Sequence, residues 1–194
     1  MINVIKVIVV LSLIFVAAIS DYKFRKIPNR LTVPFALIGL GFNALIDFPN
    51  GILTGVFGFF VGFLIFLLPY IMKGMGAGDV KLMAAIGAIT DWRSVIYVAL
   101  FTAVLGGFIS LISRARAGQV GLTLKRTGRL ILFYFFSFME KITSLPTMNY
   151  RKEKYRLKMT DSKVDYIPYA IAIAGGCVVT IVFSRLGLIQ GLSI

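Results

Sequence analysis

The chain has 194 residues, of which 58% are hydrophobic and only 15% are charged. This composition lies outside the range of an ordinary soluble domain and indicates a membrane protein. With Cys177 as its one cysteine and no histidine, the sequence excludes an intrachain disulfide, Ser-His and Cys-His nucleophiles and the usual zinc sites, so no metal and no cofactor is expected. The net charge of +13 does not indicate nucleic-acid binding, because the cations lie in the connections between apolar segments.

Apolar segments along the chain predict an all-α polytopic membrane protein, a single membrane-embedded domain over residues 1–194. The six predicted transmembrane helices cover residues 4–20, 31–46, 52–72, 76–90, 95–112 and 166–188. The first segment begins near the N-terminus, as a signal peptide does. Its basic cluster follows the apolar run instead of preceding it, and the run is long enough to span, so we expect it to be retained.

Helix breakers separate the first three segments. Ile27-Pro28-Asn29 predicts a break followed by a new helix, since proline is accepted in a first turn and disfavoured inside a helix. The sequence Asp-Phe-Pro-Asn-Gly at 47–51 predicts the turn that ends the second segment. Three glycines in the third segment predict close packing against a neighbouring helix; they are Gly55, Gly58 and Gly62.

The fourth segment is short for a span. Residues 76–90 reach about 22 Å at 1.5 Å per residue, against a hydrocarbon core of about 30 Å. Charge bias still favours a span, because it places the basic residues 23–30, Lys73 and the connection 113–165 on one side, and the acidic turns at Asp47 and Asp91 on the other. The prediction is a multi-pass protein of the cytoplasmic (inner) membrane with both termini outside, in which one end of the short span lies below the surface.

The basic connection 113–165 is predicted to lie in the cytoplasm. Residues 130–139 within it form another apolar run, flanked by Arg129 and by Glu140-Lys141. Because this run is too short to span comfortably, it predicts an interfacial amphipathic helix on the basic side in preference to a seventh span.

Asp21 and Asp79 are the acids that this topology brings to the same membrane face, each at the cytoplasmic end of its segment. An ionisable side chain in the membrane is costly and usually faces a partner or a cavity. Two carboxyls at one depth resemble the arrangement of an aspartic protease, in which the ionised acid takes a proton from water and the protonated acid donates to the carbonyl oxygen. The residues alone leave an alternative, in which Asp79 is the N-cap of the fourth helix and Asp21 a solvated helix end.

The residues next to Asp79 also have alternative interpretations. Gly76 and Gly78 leave room for an extended substrate backbone, or they form a turn or flexible loop. Lys81 lies two residues from Asp79, where it either stabilises the carboxylate or extends to the membrane surface; we expect the second.

Three motifs occur in a fixed order along the chain. They are Asp21 followed by Arg25 and Ile27-Pro28-Asn29, then Gly76-Ala77-Gly78-Asp79-Val80-Lys81-Leu82, then Ile167-Pro168-Tyr169-Ala170-Ile171-Ala172 with Gly175. In this combination the chain resembles the prepilin peptidases, polytopic membrane aspartic proteases of the G-x-G-D group. The small size, and an aspartate only one helix from the N-terminus, resemble the short branch that serves Tad/Flp-type pili.

The resemblance implies that Asp21 and Asp79 are the catalytic pair of an aspartic-type endopeptidase. The supporting motif residues are then Gly76, Gly78, Lys81, Ile27, Pro28 and Asn29. The implied substrate is a prepilin, with a short basic leader before a hydrophobic helix, cut on the cytoplasmic side. The larger bacterial enzymes carry an extra portion with paired cysteines and an N-methyltransferase activity; this chain lacks those cysteines, so the resemblance implies proteolysis and does not extend to methylation.

Membrane lipid is the other expected partner. Because the leader and the cytoplasmic face of the protein are both basic, we expect anionic lipid to recruit both. Two alternatives to a prepilin peptidase stay open. One is another G-x-G-D intramembrane protease, of the preflagellin or signal-peptide type, and the other is a non-enzymatic transporter or channel subunit whose paired acids bind a cation or a proton.

Overall fold

The computed structural model describes residues 2–71, 74–116 and 169–188. Within these ranges the regular structure is helical, with no strand. The helices are α1 (Ile2–Phe24), α2 (Asn29–Ile46), α3 (Asn50–Ile71), α4 (Ala77–Ile89), α5 (Trp92–Arg116) and α6 (Tyr169–Arg185). Each one coincides with a predicted segment, so the all-α prediction is confirmed for the part of the chain that the structure describes.

Four of these helices, α1, α2, α3 and α5, are long and apolar enough to cross a membrane. The other two are shorter, with 13 residues in α4 and 17 in α6. At 1.5 Å per residue α4 is about 20 Å long, which confirms the shortness expected of the fourth segment. The complete six-span topology and its orientation in the membrane stay predictions.

The chain divides into two compact units. The first comprises Met1–Ile109 and Pro168–Ile194, and the second comprises Ser110–Ile167. The end of α5 is the only part of the second unit among the described residues. The interfacial helix expected at 130–139 lies outside them, and the single domain over residues 1–194 stays a prediction.

Helix α4 is the central helix of the first unit. Every residue from Leu82 to Asp91 is buried, and α1, α2, α3 and α6 pack around it. A helix covered on its sides by protein does not have to match the thickness of the hydrocarbon core. Burial therefore explains how a segment too short for an ordinary span occupies the middle of an apolar bundle.

Glycines allow the backbones of α3 and α4 to approach closely. Gly58 of α3 and Gly87 of α4 face each other so closely that a Cβ on either would overlap the carbonyl group of the other. A Cβ on Gly62 would lie 2.5 Å from the carbonyl oxygen of Met83. The close packing expected from the glycines of the third segment is confirmed, and α4 is the neighbour.

Asn43 of α2 holds the end of α4 that lies away from Asp79. This side chain is buried, and its Nδ2 donates to the carbonyl oxygen of Ala88 at 2.9 Å and to that of Ile89 at 3.3 Å. The last carbonyl groups of a helix have no partner within the helix. Asn43 satisfies two of them and fixes α4 against α2.

Candidate functional site

The connection between α1 and α2 places Asp21 one turn before the end of its helix. The Arg25 N–H donates to the Asp21 carbonyl oxygen at 2.8 Å, and the Arg25 φ angle of 52° lies in the left-handed region in which many helices end. Pro28 then occupies the N-cap of α2 with an extended backbone. The break and new helix start expected at Ile27-Pro28-Asn29 are confirmed.

The Asp21 side chain is buried, with 2% of its surface exposed. Its Oδ2 accepts a hydrogen bond from the Ala170 N–H at 3.4 Å. Ala170 is in the first turn of α6, where the free N–H groups and the helix dipole favour negative charge. The third sequence motif thus reaches the site through a backbone N–H, a donor that sequence reasoning did not assign.

Asp79 is the third residue of α4 and is 5% exposed. Its Oδ2 accepts the Gly76 N–H at 3.0 Å, while the Asp79 N–H donates to the Gly76 carbonyl oxygen at 3.2 Å. This is the carboxylate half of a capping box, with Gly76 as the N-cap. Asp79 therefore stabilises the start of α4 from the third position, and the alternative that made it the N-cap itself is wrong.

Asp21 and Asp79 come together between the end of α1 and the start of α4. The Asp21 carboxyl acts electrostatically on that of Asp79. Like charges repel each other, so the meeting of two carboxyls in an apolar bundle is an arrangement that packing alone does not favour. The other described acids lie elsewhere: Asp47 is exposed after α2, and Asp91 follows the opposite end of α4.

Gly78 packs against the connection between α1 and α2. A Cβ on Gly78 would lie 2.9 Å from the Cβ of Ile27 and 3.3 Å from its backbone nitrogen. At Gly76, which is exposed, an added Cβ would come no closer than 3.5 Å, to the Asp79 Oδ2. Close packing thus accounts for the glycine at 78, whereas Gly76 contributes its N–H.

Alanine at these two positions is expected to have different effects on stability. Gly78→Ala forces the Ile27 backbone to move, and overpacking of this kind typically costs about 1–3 kcal/mol. Gly76→Ala makes only an ordinary van der Waals contact. Thermal unfolding of both purified variants in the same detergent is the measurement, and equal midpoints would show that Ile27 does not constrain Gly78.

Lys81 and Asn29 link the starts of α4 and α2. The Lys81 Nζ donates to the Asn29 Oδ1 at 2.7 Å, beside the connection that Gly78 contacts. Lys81 is exposed, as expected of a side chain that extends to the surface, but its ammonium is held by Asn29. Together with Ile27 and Pro28, these residues form one end of the bundle.

No group of three or more His, Cys, Asp or Glu side chains that could hold a metal ion occurs within residues 2–71, 74–116 and 169–188. What the site offers chemically is two buried carboxyls, each with one oxygen held by a backbone N–H. Such a pair can activate water and protonate a carbonyl oxygen without a nucleophilic side chain.

Comparison with known proteins identifies relatives of this chain. Residues 8–111 match the model of the type IV leader peptidase family. The chain is 32% identical over 96 residues to the prepilin leader peptidase/N-methyltransferase of Escherichia coli (strain K12), covering 46% of this chain and 42% of that protein. It is 30% identical over 124 residues to the protein of the same name from Myxococcus xanthus (strain DK1622), covering 59% of this chain and 36% of the relative.

A preflagellin peptidase is also related. The chain is 31% identical over 80 residues to that of Methanococcus voltae, covering 39% of this chain and 34% of the relative. The chain therefore spans less than half the length of these curated relatives. No solved structure gives a significant match.

Proposed function

The chain belongs to the type IV leader peptidase family, and we propose that it is a membrane aspartic endopeptidase that removes the short basic leader of type IV prepilins. Asp21 and Asp79 are the catalytic pair. The observation that carries the proposal is the meeting of these two buried carboxyls from separate sequence motifs. The relatives named prepilin leader peptidase/N-methyltransferase support the choice of substrate.

The proposed reaction needs only the two carboxyls and water. The ionised member takes a proton from a water molecule as the water oxygen attacks the scissile carbonyl carbon, and the protonated member donates its proton to the carbonyl oxygen. Collapse of the tetrahedral intermediate breaks the C–N bond and returns a proton to the leaving amine. The Gly76 and Ala170 N–H groups hold one oxygen of each carboxyl and so preorganise the pair.

We propose that this site faces the cytoplasm in the inner membrane. Six spans with both termini outside give that orientation by the positive-inside rule, since the cations around the site, Lys23, Lys26, Arg30 and Lys81, are exposed. The short, buried α4 supports a site slightly below the membrane surface, where a leader passing from water into lipid would reach it.

Anionic lipid is expected to accelerate leader cleavage. Each Lys or Arg near an anionic surface contributes about 1 kcal/mol, so a leader with two cations concentrates there about 30-fold. Lys23 and Arg25 are exposed beside the site and add to the attraction between the protein and the same lipids. Initial rates at limiting prepilin, compared between vesicles with and without anionic lipid, measure the effect.

A high-salt arm serves as the control for the lipid effect. At about 1 M salt the Debye length falls to about 3 Å, so the difference between the two vesicle types should largely disappear. Equal rates in both vesicle types at low salt would contradict lipid recruitment and leave the proposed cleavage unaffected.

Co-expression with candidate prepilins tests the proposed function. Flp-type prepilins form the first arm, since the chain resembles the short Tad/Flp branch, and a preflagellin forms the second, because of the Methanococcus voltae relative. The mass of the recovered pilin is expected to fall by that of the leader. Unprocessed protein in every arm would favour a transporter or channel subunit instead, and processing of preflagellin alone would correct the substrate.

A further inference from the structure

A second pair of charged residues lies at the far ends of α1 and α4 from the catalytic pair. Lys6 near the start of α1 and Asp91 between α4 and α5 are each 6% exposed. Among the described residues these two are the buried charges at this end of the bundle, and their signs are opposite. Burying an ionic group is costly unless an opposite charge compensates it, and each of these residues is placed to offset the burial of the other.

Lys6 and Asp21 lie on one buried stripe of α1. The buried residues of this helix recur at intervals of three and four, as one face of an α-helix requires; they are Lys6, Val10, Leu13, Ile14, Ala17 and Asp21. The stripe therefore has a charged residue at each end and an apolar middle. Rotation or sliding of α1 would displace both charged ends together.

The separations along the two helices match. Asp21 and Asp79 lie where α1 ends and α4 begins, and Lys6 and Asp91 lie where α1 begins and α4 ends. At 1.5 Å per residue, Lys6 and Asp21 are about 22 Å apart along α1, and Asp79 and Asp91 about 18 Å apart along α4. The four-carbon stem of lysine is long enough to make up the difference.

Asp91 is itself fixed in place. Its Oδ1 accepts the Ser94 N–H at 2.9 Å, which caps the first turn of α5. A charge anchored at the junction of α4 and α5 is a fixed point against which α1 can be positioned.

We propose that Lys6 and Asp91 are positioning residues for leader cleavage: their attraction sets the register of α1 on α4 and thereby the separation of Asp21 and Asp79. This inference rests on the proposed function of the catalytic pair. A misplacement of about 1 Å, even one caused far from the reacting atoms, can cost about 100-fold in rate. A charged pair at the distant end that fixes the register of α1 on α4 would therefore protect the rate of cleavage.

Charge-removing variants that keep side-chain size test the proposal. Lys6→Met removes the ammonium, and Asp91→Asn removes the charge but keeps an N-cap residue for α5. Each is expected to lower kcat per folded protein at least about tenfold, with KM changed less than about twofold. Lys6→Arg keeps the charge and is expected to stay near wild type. The matched controls are Arg185→Met and Asp47→Asn, which change exposed residues to which no role is assigned.

The double variant Lys6→Met/Asp91→Asn separates attraction from packing. Because it leaves no buried charge without a partner, its kcat is expected to be no lower than that of the more impaired single variant, as for residues that act as a pair. If the kcat losses of the two single variants multiply in the double variant, the residues act independently. If the folded fraction falls while kcat stays normal, they act only on stability. Either result would overturn the proposal.

Cross-linking measures the separation of positions 21 and 79 without relying on enzyme activity. In a Cys177→Ser background, which has no other cysteine, Asp21→Cys and Asp79→Cys are joined by thiol reagents of graded length. Adding Lys6→Met is expected to shift the preferred reagent length, whereas adding Arg185→Met is not. An unchanged profile would overturn the positioning role. Failure of the wild-type chain to cut any prepilin would refute the proposed function instead. The cross-linking profile would still report the register of α1 on α4, because it does not depend on activity.

Discussion

Asparagine at either Asp21 or Asp79 is expected to lower the kcat of leader cleavage about 10²- to 10⁴-fold, the range that a general acid or base contributes. Asparagine keeps the size of the side chain and can still accept the N–H of Gly76 or Ala170, but it cannot exchange a proton with water or substrate. The fold should therefore persist. Steady-state kinetics on purified protein in vesicles, with size-exclusion chromatography for the folded fraction, measures both effects.

The double variant Asp21→Asn/Asp79→Asn sharpens this prediction. Residues that act as one unit are strongly non-additive, so the double variant is expected to lose about as much rate as either single variant. Asp47→Asn is the matched control, because Asp47 is an exposed acid outside the site. Wild-type kcat in either single variant would contradict the assigned pair, and an equal loss in Asp47→Asn would point to a general effect of charge.

Substitution at the contact between Gly58 and Gly87 is expected to have the largest effect on folding. An added Cβ meets backbone carbonyl groups on the facing helix, and backbone cannot turn aside as a flexible side chain can. Overpacking costs about 1–3 kcal/mol and occasionally more, out of a typical total stability of about 5–15 kcal/mol. Gly58→Ala is expected to lower the thermal midpoint markedly, and Gly58→Leu to yield no monodisperse protein.

Two other helical glycines provide controls for this prediction. A Cβ on Gly41 of α2 or Gly107 of α5 would meet nothing within 4 Å. Alanine is the better helix former by about 1 kcal/mol, so Gly41→Ala and Gly107→Ala are expected to leave the midpoint unchanged or to raise it. A midpoint for Gly58→Ala equal to that of Gly107→Ala would show that α3 and α4 do not depend on this close approach.

Much of the fold could be predicted because the signals were local. Long apolar runs bounded by breakers gave all six described helices to within a few residues, and the break at Ile27-Pro28-Asn29 followed from proline geometry alone. The glycines of the third segment indicated a close neighbour. The apolar pattern of α4 on all sides is typical of a buried helix, which agrees with its place at the centre of the bundle.

Contacts between distant segments could not be predicted in the same way. Gly78 contacts Ile27, and Lys81 binds Asn29. Helices α2 and α3 separate these partners along the chain, and no sequence spacing specifies either contact. The Ala170 N–H is a backbone group that any residue would supply, so only its place at the start of a helix could have indicated it. Lys6 stands alone in an apolar run, and Asp91 can be proposed as its partner only from the packed helices.

Leader cleavage by Asp21 and Asp79 is tested most directly by mass spectrometry of a purified Flp-type prepilin incubated with this protein in anionic vesicles. Two products are expected, a basic leader and a mature pilin, whose masses together equal that of the prepilin plus one water. The wild-type protein should form them and Asp21→Asn/Asp79→Asn should not. A prepilin left intact by the folded wild-type protein, or cut equally by the double variant, would contradict cleavage by this pair.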